Sequence, residues 1–146
     1  MLSPETLSFD NFQLMPLQTE FLFHVTACHG AHISLGTKSR QTQELEVVLG
    51  ADSNRRAVIL DKRGGSSVEV QSIQRPGLLS CDRDREFLLS WSDGVLKVRE
   101  GRLHGELLLD WVIPNCEAAV YLGFSTEPGA PGHFLFDRTQ GRKYFV

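Results

Sequence analysis

Four side chains of metal-binding types lie within nine residues near the start of the chain: His24, Cys28, His29 and His32. Imidazole and thiolate are both zinc ligands, but the spacing matches none of the common structural zinc patterns. Alternation along a strand would place only His24 and Cys28 on one face, and a fourth ligand would have to come from Cys81. We therefore predict exposed or hydrogen-bonded histidines at a strand end, and no metal site.

A candidate nucleophile is Ser125 in the segment GFSTE, which resembles the nucleophile elbow of hydrolases. The segment lacks the last glycine of that motif, and a Gly/Pro-rich stretch follows it where the elbow is followed by a helix. HExxH, CxxC and phosphate-loop motifs are also absent from the sequence. We therefore expect no catalytic residues.

Two further features have ordinary structural interpretations. Asp82 and Asp84 could ligate calcium from a loop, but interleaved arginines neutralise them, and calcium requires uncompensated oxygen ligands. Trp91 and Trp111 could stack on a sugar, but each lies in the apolar register of its segment, which favours burial. We predict a solvated connection before a strand in the first case and core packing in the second.

Four polar residues remain as candidate binding residues because each flanks a turn. They are Asn54, Arg56, Asp93 and His133. Loops at strand ends and concave sheet faces are where β-sandwich domains bind their ligands. The expected ligand is a protein, a small molecule or a glycan.

Apolar residues recur at every second position from Glu20 onward, which is typical of strands with one buried face. The alternating sets are Phe21, Phe23, Val25 and Ala27; Leu45, Val47 and Leu49; Val58 and Leu60; Val68 and Val70; Phe87, Leu89 and Trp91; Leu107, Leu109 and Trp111; Val120, Leu122 and Phe124; and Phe134 and Phe136.

Turn residues separate these sets. Asp93-Gly94 predicts a type I′ hairpin, in which both central residues have positive φ. Asp52-Ser53-Asn54 after Gly50 predicts a polar turn or bulge. With further Gly/Pro breaks, the pattern predicts an all-β fold: an antiparallel β-sandwich, jelly-roll-like, with about ten short strands and little helix.

Composition sets the limits on class and partners. The chain has 146 residues, 41% of them apolar, which corresponds to one globular domain. The net charge of −3, with no basic run longer than a pair, argues against nucleic-acid and anionic-lipid partners. No apolar run approaches the ~20 residues of a transmembrane helix.

The three cysteines, Cys28, Cys81 and Cys116, leave two interpretations of the compartment open. An odd count and a start that lacks a signal pattern favour a reduced, cytoplasmic chain. If the chain is instead a module of a longer secreted protein, Cys28 and Cys81 could pair and leave Cys116 free.

Five stretches, taken in order, resemble the domain family named after farnesoic acid O-methyltransferase. They are FHVTACHGAHISLG (Phe23–Gly36), LEVVLGADSNRRAVI (Leu45–Ile59), EFLLSWSDGVLKV (Glu86–Val98), LLLDWVIPNCEAAVYLGFST (Leu107–Thr126) and GHFLF (Gly132–Phe136). The resemblance implies a domain over residues 8–137, an N-terminal extension over 1–7 and a C-terminal tail over 138–146.

The resemblance implies a compact β-sandwich that is often a module of larger proteins, some of them secreted. The chain departs from the family pattern at Phe87-Leu88-Leu89, at Gly50-Ala51-Asp52 and at Arg99. The family name implies methyl transfer from S-adenosylmethionine to farnesoic acid, which normally needs a Gly-rich turn after a parallel strand. Because the predicted fold has no such turn, we expect a non-catalytic binding module without a cofactor; the alternative is the methyltransferase.

Overall fold

The structure is a computed structural model and describes residues 20–36, 44–102, 104–114, 121–127 and 132–136. The strands are β1 (Glu20–Ala27), β2 (Ala31–Gly36), β3 (Leu45–Gly50), β4 (Arg56–Asp61), β5 (Val68–Gln74), β6 (Arg85–Ser90), β7 (Val95–Glu100), β8 (Glu106–Val112), β9 (Tyr121–Thr126) and β10 (Gly132–Phe136). Of the terminal segments predicted from the resemblance, 1–7 and 138–146 lie outside the described residues, as does Cys116.

The ten strands form two five-stranded sheets. Sheet A has the order β10-β1-β6-β7-β8, and sheet B has the order β5-β4-β3-β2-β9. Every strand pairing within the described ranges is antiparallel. The predicted all-β antiparallel sandwich is confirmed. Among these residues, no helix has the length and apolar character that a membrane span requires.

The inward face of β1 shows why the two sheets pack. Phe21, Phe23, Val25 and Ala27 are all buried, while the residues between them are partly exposed. This alternation is the one that the sequence predicts, and burying such a row removes apolar surface from water. The same alternation occurs in β6 and β10 and, apart from the buried Gly123, in β9, as far as their side chains are described.

Phe124 of sheet B is the side chain that most directly joins the sheets. Its ring centroid lies 5.5 Å from that of Phe21, 5.4 Å from Phe23 and 5.2 Å from Phe134, all three in sheet A. Tilted and edge-on rings at these separations add attraction beyond area burial. The two sheets therefore share one aromatic core.

The hairpin between β6 and β7 has the predicted turn. Asp93 has φ 57° and Gly94 has φ 74°, so both central residues are left-handed, as a type I′ turn requires. The carbonyl of Gly94 also accepts a hydrogen bond from the amide of Ile113 at 2.8 Å. This bond ties the turn to the end of β8.

The register of β4 differs from the sequence prediction. Val58 and Leu60 were expected in the core, but Ala57 pairs with Leu49 and Ile59 with Val47, both core residues, so Ala57 and Ile59 face the core. The turn between β3 and β4 sets this register, and a one-residue shift exchanges the two faces of a strand.

Irregular pairing in β8 also moves side chains between faces. Val98 pairs with Leu109 and Arg99 with Leu107, so Leu108 is an extra residue in the ladder. Such a bulge lets neighbouring side chains share one face. Leu108 and Leu109 are therefore both buried, whereas Leu107, which was expected in the core, is only half-buried.

Polar side chains connect the edge strands β5 and β8 across the open side of the sandwich. The side-chain amide of Gln71 donates to the carbonyl of Asp110 and accepts from the amide of Asp110 at 2.6 Å. Arg63 donates to the carbonyl of Pro114 at 2.6 Å. Gln71 thus bonds the edge of sheet A as a neighbouring strand would, which protects that edge from pairing with another chain.

The shared aromatic core gives a direct test of the packing. Phe124→Ala should lower the free energy of unfolding by about 3–5 kcal/mol, because it opens a cavity among three rings. Ser92→Ala, in the exposed turn, should change it by less than about 0.5 kcal/mol. Urea unfolding followed by tryptophan fluorescence measures both, and equal losses would contradict the assignment of Phe124 to the core.

Candidate functional site

The structure places three of the four predicted binding residues at one end of the sandwich. Asn54 and Arg56 lie in and after the β3–β4 connection, and His133 lies at the start of β10, beside the end of β1. The end of β1 leads through a short connection into β2, and the first residue of β2 pairs with the end of β3. His133 and the β3–β4 connection are therefore at the same end of the sandwich. Asp93, in the β6–β7 turn, lies at the opposite end.

The β3–β4 connection is an unusual left-handed turn. Gly50 has φ 72°, and Asp52, Ser53 and Asn54 follow with φ 53°, 61° and 65°. Three successive non-glycine residues in this region are strained, since each costs about 1–2 kcal/mol relative to the right-handed form. Such strain persists only where surrounding contacts enforce it.

The enforcing contacts come from the segment before β6. The side-chain carbonyl of Asn54 accepts from the amide of Leu79 at 3.0 Å, and its NH2 group donates to the carbonyl of Leu79 at 2.9 Å. The amide of Gly77 donates to the carbonyl of Asn54, and the amide of Arg75 donates to that of Arg55. Both polar groups of the Asn54 side chain are thus used in holding the turn.

The left-handed turn predicts opposite effects for two glycine substitutions. Ser53→Gly should raise the free energy of unfolding by up to about 1 kcal/mol, because it removes backbone strain and no described contact. Asn54→Gly relieves the same strain but loses two hydrogen bonds, so it should cost about 1–2 kcal/mol. Thermal unfolding of both variants measures this difference, and equal stability would contradict the role of Asn54.

Arg56 is the centre of a charged cluster on the outer face of sheet B, the face turned away from the core. Its guanidinium donates to Asp52 at 2.5 Å from Nε and to both oxygens of Glu69 at 3.1 and 2.7 Å. The hydrogen bonds to Glu69 and Asp52 raise the pKa of Arg56 above its usual range, and the bond from Arg56 lowers the pKa of Glu69. We call Asp52, Arg56 and Glu69 the arginine cluster.

The arginine cluster extends along the sheet. Arg56 pairs with Gln74, whereas Glu69 pairs with Leu60, further along β4. The Arg56 side chain therefore runs over Val58, which is only 4% exposed although it faces outward. Asp52, Arg56 and Glu69 themselves are 64%, 23% and 40% exposed, so a ligand can reach their polar atoms.

A second chain of polar groups crosses the same face. Nδ1 of His32 lies 2.5 Å from Oε2 of Glu46, and Lys62 pairs with the other oxygen of Glu46. Burial alone would raise the pKa of Glu46, but the hydrogen bonds from His32 and Lys62 outweigh it and hold the pKa below the ordinary 4.5. Glu46 is therefore a buried, ionised and fully paired carboxylate.

Glu127 continues this chain to the end of β9. Its carboxylate lies 3.8 Å from Nε2 of His32 and 3.4 Å from Nδ1 of His29. A Cβ atom at Gly30, which has φ 68°, would lie 2.4 Å from the Glu127 side chain, so Glu127 packs directly against the glycine backbone. We call His29, His32, Glu46, Lys62 and Glu127 the histidine cluster.

The depressed pKa of Glu46 predicts how stability depends on pH. A carboxylate with a lowered folded-state pKa stabilises the fold above its unfolded pKa, and this contribution disappears as pH falls through the folded pKa. Glu46→Gln should therefore cost about 1–3 kcal/mol at pH 7 and progressively less below about pH 4.5. Urea unfolding of both proteins between pH 3 and 7 tests this, and a gap that does not change with pH would contradict it.

Sequence reasoning missed the histidine cluster. His32 was noted for its spacing to Cys28 and His29, but its carboxylate partners, Glu46 and Glu127, come from strands that are distant in sequence. One feature of the sequence could have indicated the contact between His32 and Glu46. Both residues occupy outward positions of consecutive strands, β2 and β3, and side chains on the same face of paired strands can interact.

His133 belongs to a separate group on sheet A. Its Nε2 lies 3.8 Å from Asp84, which also accepts a hydrogen bond from the hydroxyl of Thr26. His24, on the same face, lies 3.0 Å from Glu86. The histidines near the strand ends are thus paired with carboxylates in ordinary polar contacts.

Cys28 and Cys81 form a disulfide, with their Cα atoms 4.3 Å apart. The bond joins the β1–β2 connection to the segment before β6, beside a backbone bond from Ala27 to Ser80. Among the residues described, no group of three or more His, Cys, Asp or Glu side chains is arranged to hold a metal ion. Of the two tryptophans, Trp91 is buried and Trp111 packs partly buried against the core.

The protein is an antiparallel β-sandwich, and its fold is similar to those of several solved structures. It is similar to carbohydrate-binding module CBM66 from Bacillus subtilis, with TM-score 0.60, 10% identity and coverage of 81% of this chain and 71% of that one. It is also similar to Xenopus laevis galectin-Ib, with TM-score 0.57, 14% identity and coverage of 86% and 96%. A third similar structure is the Ca2+/Man-bound exoplasmic/lumenal domain of VIP36, with TM-score 0.60, 13% identity and coverage of 91% and 75%.

Residues 4–140 match the family described as farnesoic acid O-methyl transferase. The chain belongs to this family, which confirms the resemblance of its five sequence stretches. No curated protein matches the chain.

Proposed function

We propose that this chain is a non-catalytic glycan-binding module and that the glycan binds on the outer face of sheet B. We place the module at residues 8–137, with 1–7 and 138–146 as flanking segments. Of the four residues predicted from turns, Arg56 contacts the ligand in this proposal. Asn54 holds the turn beside it, whereas His133 and Asp93 lie away from this face.

The arginine cluster is the observation that carries the proposal. A sugar presents hydroxyl groups, each of which donates one hydrogen bond and accepts others. The guanidinium of Arg56 and the carboxylates of Asp52 and Glu69 present donors and acceptors side by side in a fixed geometry. Because these groups hold one another, a ligand need not order them, and little side-chain entropy is lost on binding.

Two other features support a glycan ligand. The folds of the carbohydrate-binding module and lectins named above are similar to this one, although fold alone does not define function. The Cys28–Cys81 disulfide is typical of oxidising compartments, where secreted and cell-surface glycans occur. We therefore propose that the module works in such a compartment.

The family name supplies the second candidate, a methyltransferase that uses S-adenosylmethionine. Nucleotide-like cofactors normally bind where a parallel strand leads through a Gly-rich turn into a helix. All strand pairings within the described ranges are antiparallel, and Gly50 leads through a short turn with three left-handed residues, Asp52 to Asn54, into β4 rather than into a long helix. The described residues therefore favour the binding module.

A glycan array followed by calorimetry with the best glycan tests the proposal. Arg56→Gln should lower the affinity by at least about tenfold, which corresponds to about 1.4 kcal/mol, because the cluster loses its donor and its alignment. The matched control is Arg102→Gln, which removes an arginine in the β7–β8 connection that pairs with Glu86 of sheet A, and it should leave the affinity unchanged.

Three outcomes would contradict the proposal: binding of no glycan, equal losses in the two arginine variants, or full affinity in Arg56→Gln. The same calorimeter distinguishes the second candidate. Saturable heat with S-adenosylmethionine would support the methyltransferase, and we expect none at millimolar concentrations. Thermal unfolding of each variant confirms that a loss of binding does not reflect unfolding.

A further inference from the structure

We propose that the ligand is a neutral oligosaccharide, which lies across the strands of sheet B and contacts the arginine cluster with one sugar unit and the histidine cluster with another. This inference rests on the proposed glycan-binding function and names the class of glycan. It follows from the separation of the two clusters, their exposure and their charge.

The separation requires a ligand longer than one sugar. Arg56 is in β4 and His32 is in β2, so two strand spacings of about 4.8 Å, or roughly 10 Å, lie between their strands. Glu69 in β5 and Glu127 after β9 are at opposite edges of the sheet, about 19 Å apart by the same spacing. A single pyranose ring cannot bridge these distances.

The middle of the face has little to offer a ligand. Val48 and Val58 lie between the clusters and are 5% and 4% exposed. Accessible polar side chains lie on both sides of these two valines. Glu69 and Glu127 are each 40% exposed, and His32 is 25% exposed. Apart from Lys62, which follows β4 at the other end of that strand and is 27% exposed, the accessible hydrogen-bonding groups of the two clusters lie in two places, as subsites for different units of one oligosaccharide would.

Charge favours a neutral ligand. In the arginine cluster two carboxylates surround one guanidinium, and in the histidine cluster Glu46 and Glu127 exceed the charge of Lys62. Counting only carboxylates, Arg56 and Lys62, each cluster has one carboxylate more than it has cationic side chains. Like charges brought together at a binding site lower affinity. Sulfated and sialylated chains should therefore bind less well than uncharged ones.

The test compares ligands of increasing length. Malto-, cello-, chito- and manno-oligosaccharides of one to four units are titrated into the protein, alongside heparin fragments and sialylated lactose. For the series that binds, we expect the affinity to rise at least about tenfold between one and three units. The charged glycans should bind at least about tenfold more weakly than the best neutral trisaccharide.

Two isosteric variants locate the subsites. Glu127→Gln should lower the trisaccharide affinity about tenfold and leave the monosaccharide affinity unchanged, whereas Glu69→Gln should lower both. Glu106→Gln, a paired carboxylate on the edge of sheet A, is the control and should change neither. Because Glu127 is well exposed and Gln has the same shape, this variant should keep the wild-type unfolding temperature.

The outcomes separate this inference from the proposed function. Equal affinity for one and three units, an unchanged trisaccharide affinity in Glu127→Gln, or tighter binding of charged glycans would overturn the inference and leave glycan binding itself intact. Failure of every glycan to bind would overturn the proposed function and the inference with it.

Discussion

The contact of Phe124 with three phenylalanines of the opposite sheet is the interaction on which the other features depend. A sheet has two faces, and fixing one row of side chains in the core fixes the other row on the surface. Because Phe124 faces inward from β9, its neighbour Ser125 faces outward beside His32. The same rule places Glu46 outward between Leu45 and Val47. The polar face of sheet B is therefore a direct consequence of how the core is packed.

Regular alternation made the class of fold predictable, but local irregularities limited the detail. The inward row of β1 and the positive φ values at Asp93 and Gly94 follow from patterns that lie within a few residues. The register of β4 does not, because the left-handed turn depends on hydrogen bonds between Asn54 and Leu79, 25 positions apart. The bulge that buries Leu108 likewise depends on pairing with β7.

The candidate site shows the same limit. Arg56 was selected because it follows a turn, and its role in binding stays a prediction; its partner Glu69 is 13 positions away on the next strand. His32 and Glu46 are separated by 14 positions, and their contact requires the β2–β3 register. Residue type and spacing can select polar residues near turns, but side chains that meet across strands become visible only once the pairing of strands is known.

The internal pairing of these side chains is consistent with the binding role that we propose for this face. A general base or nucleophile needs an accessible atom whose proton affinity matches its task. In the two clusters, hydrogen bonds instead hold Glu46 and Glu69 in their ionised form and Arg56 in its charged form. Groups held in this way present a constant pattern of donors and acceptors near neutral pH. Such a pattern suits the recognition of hydroxyl groups.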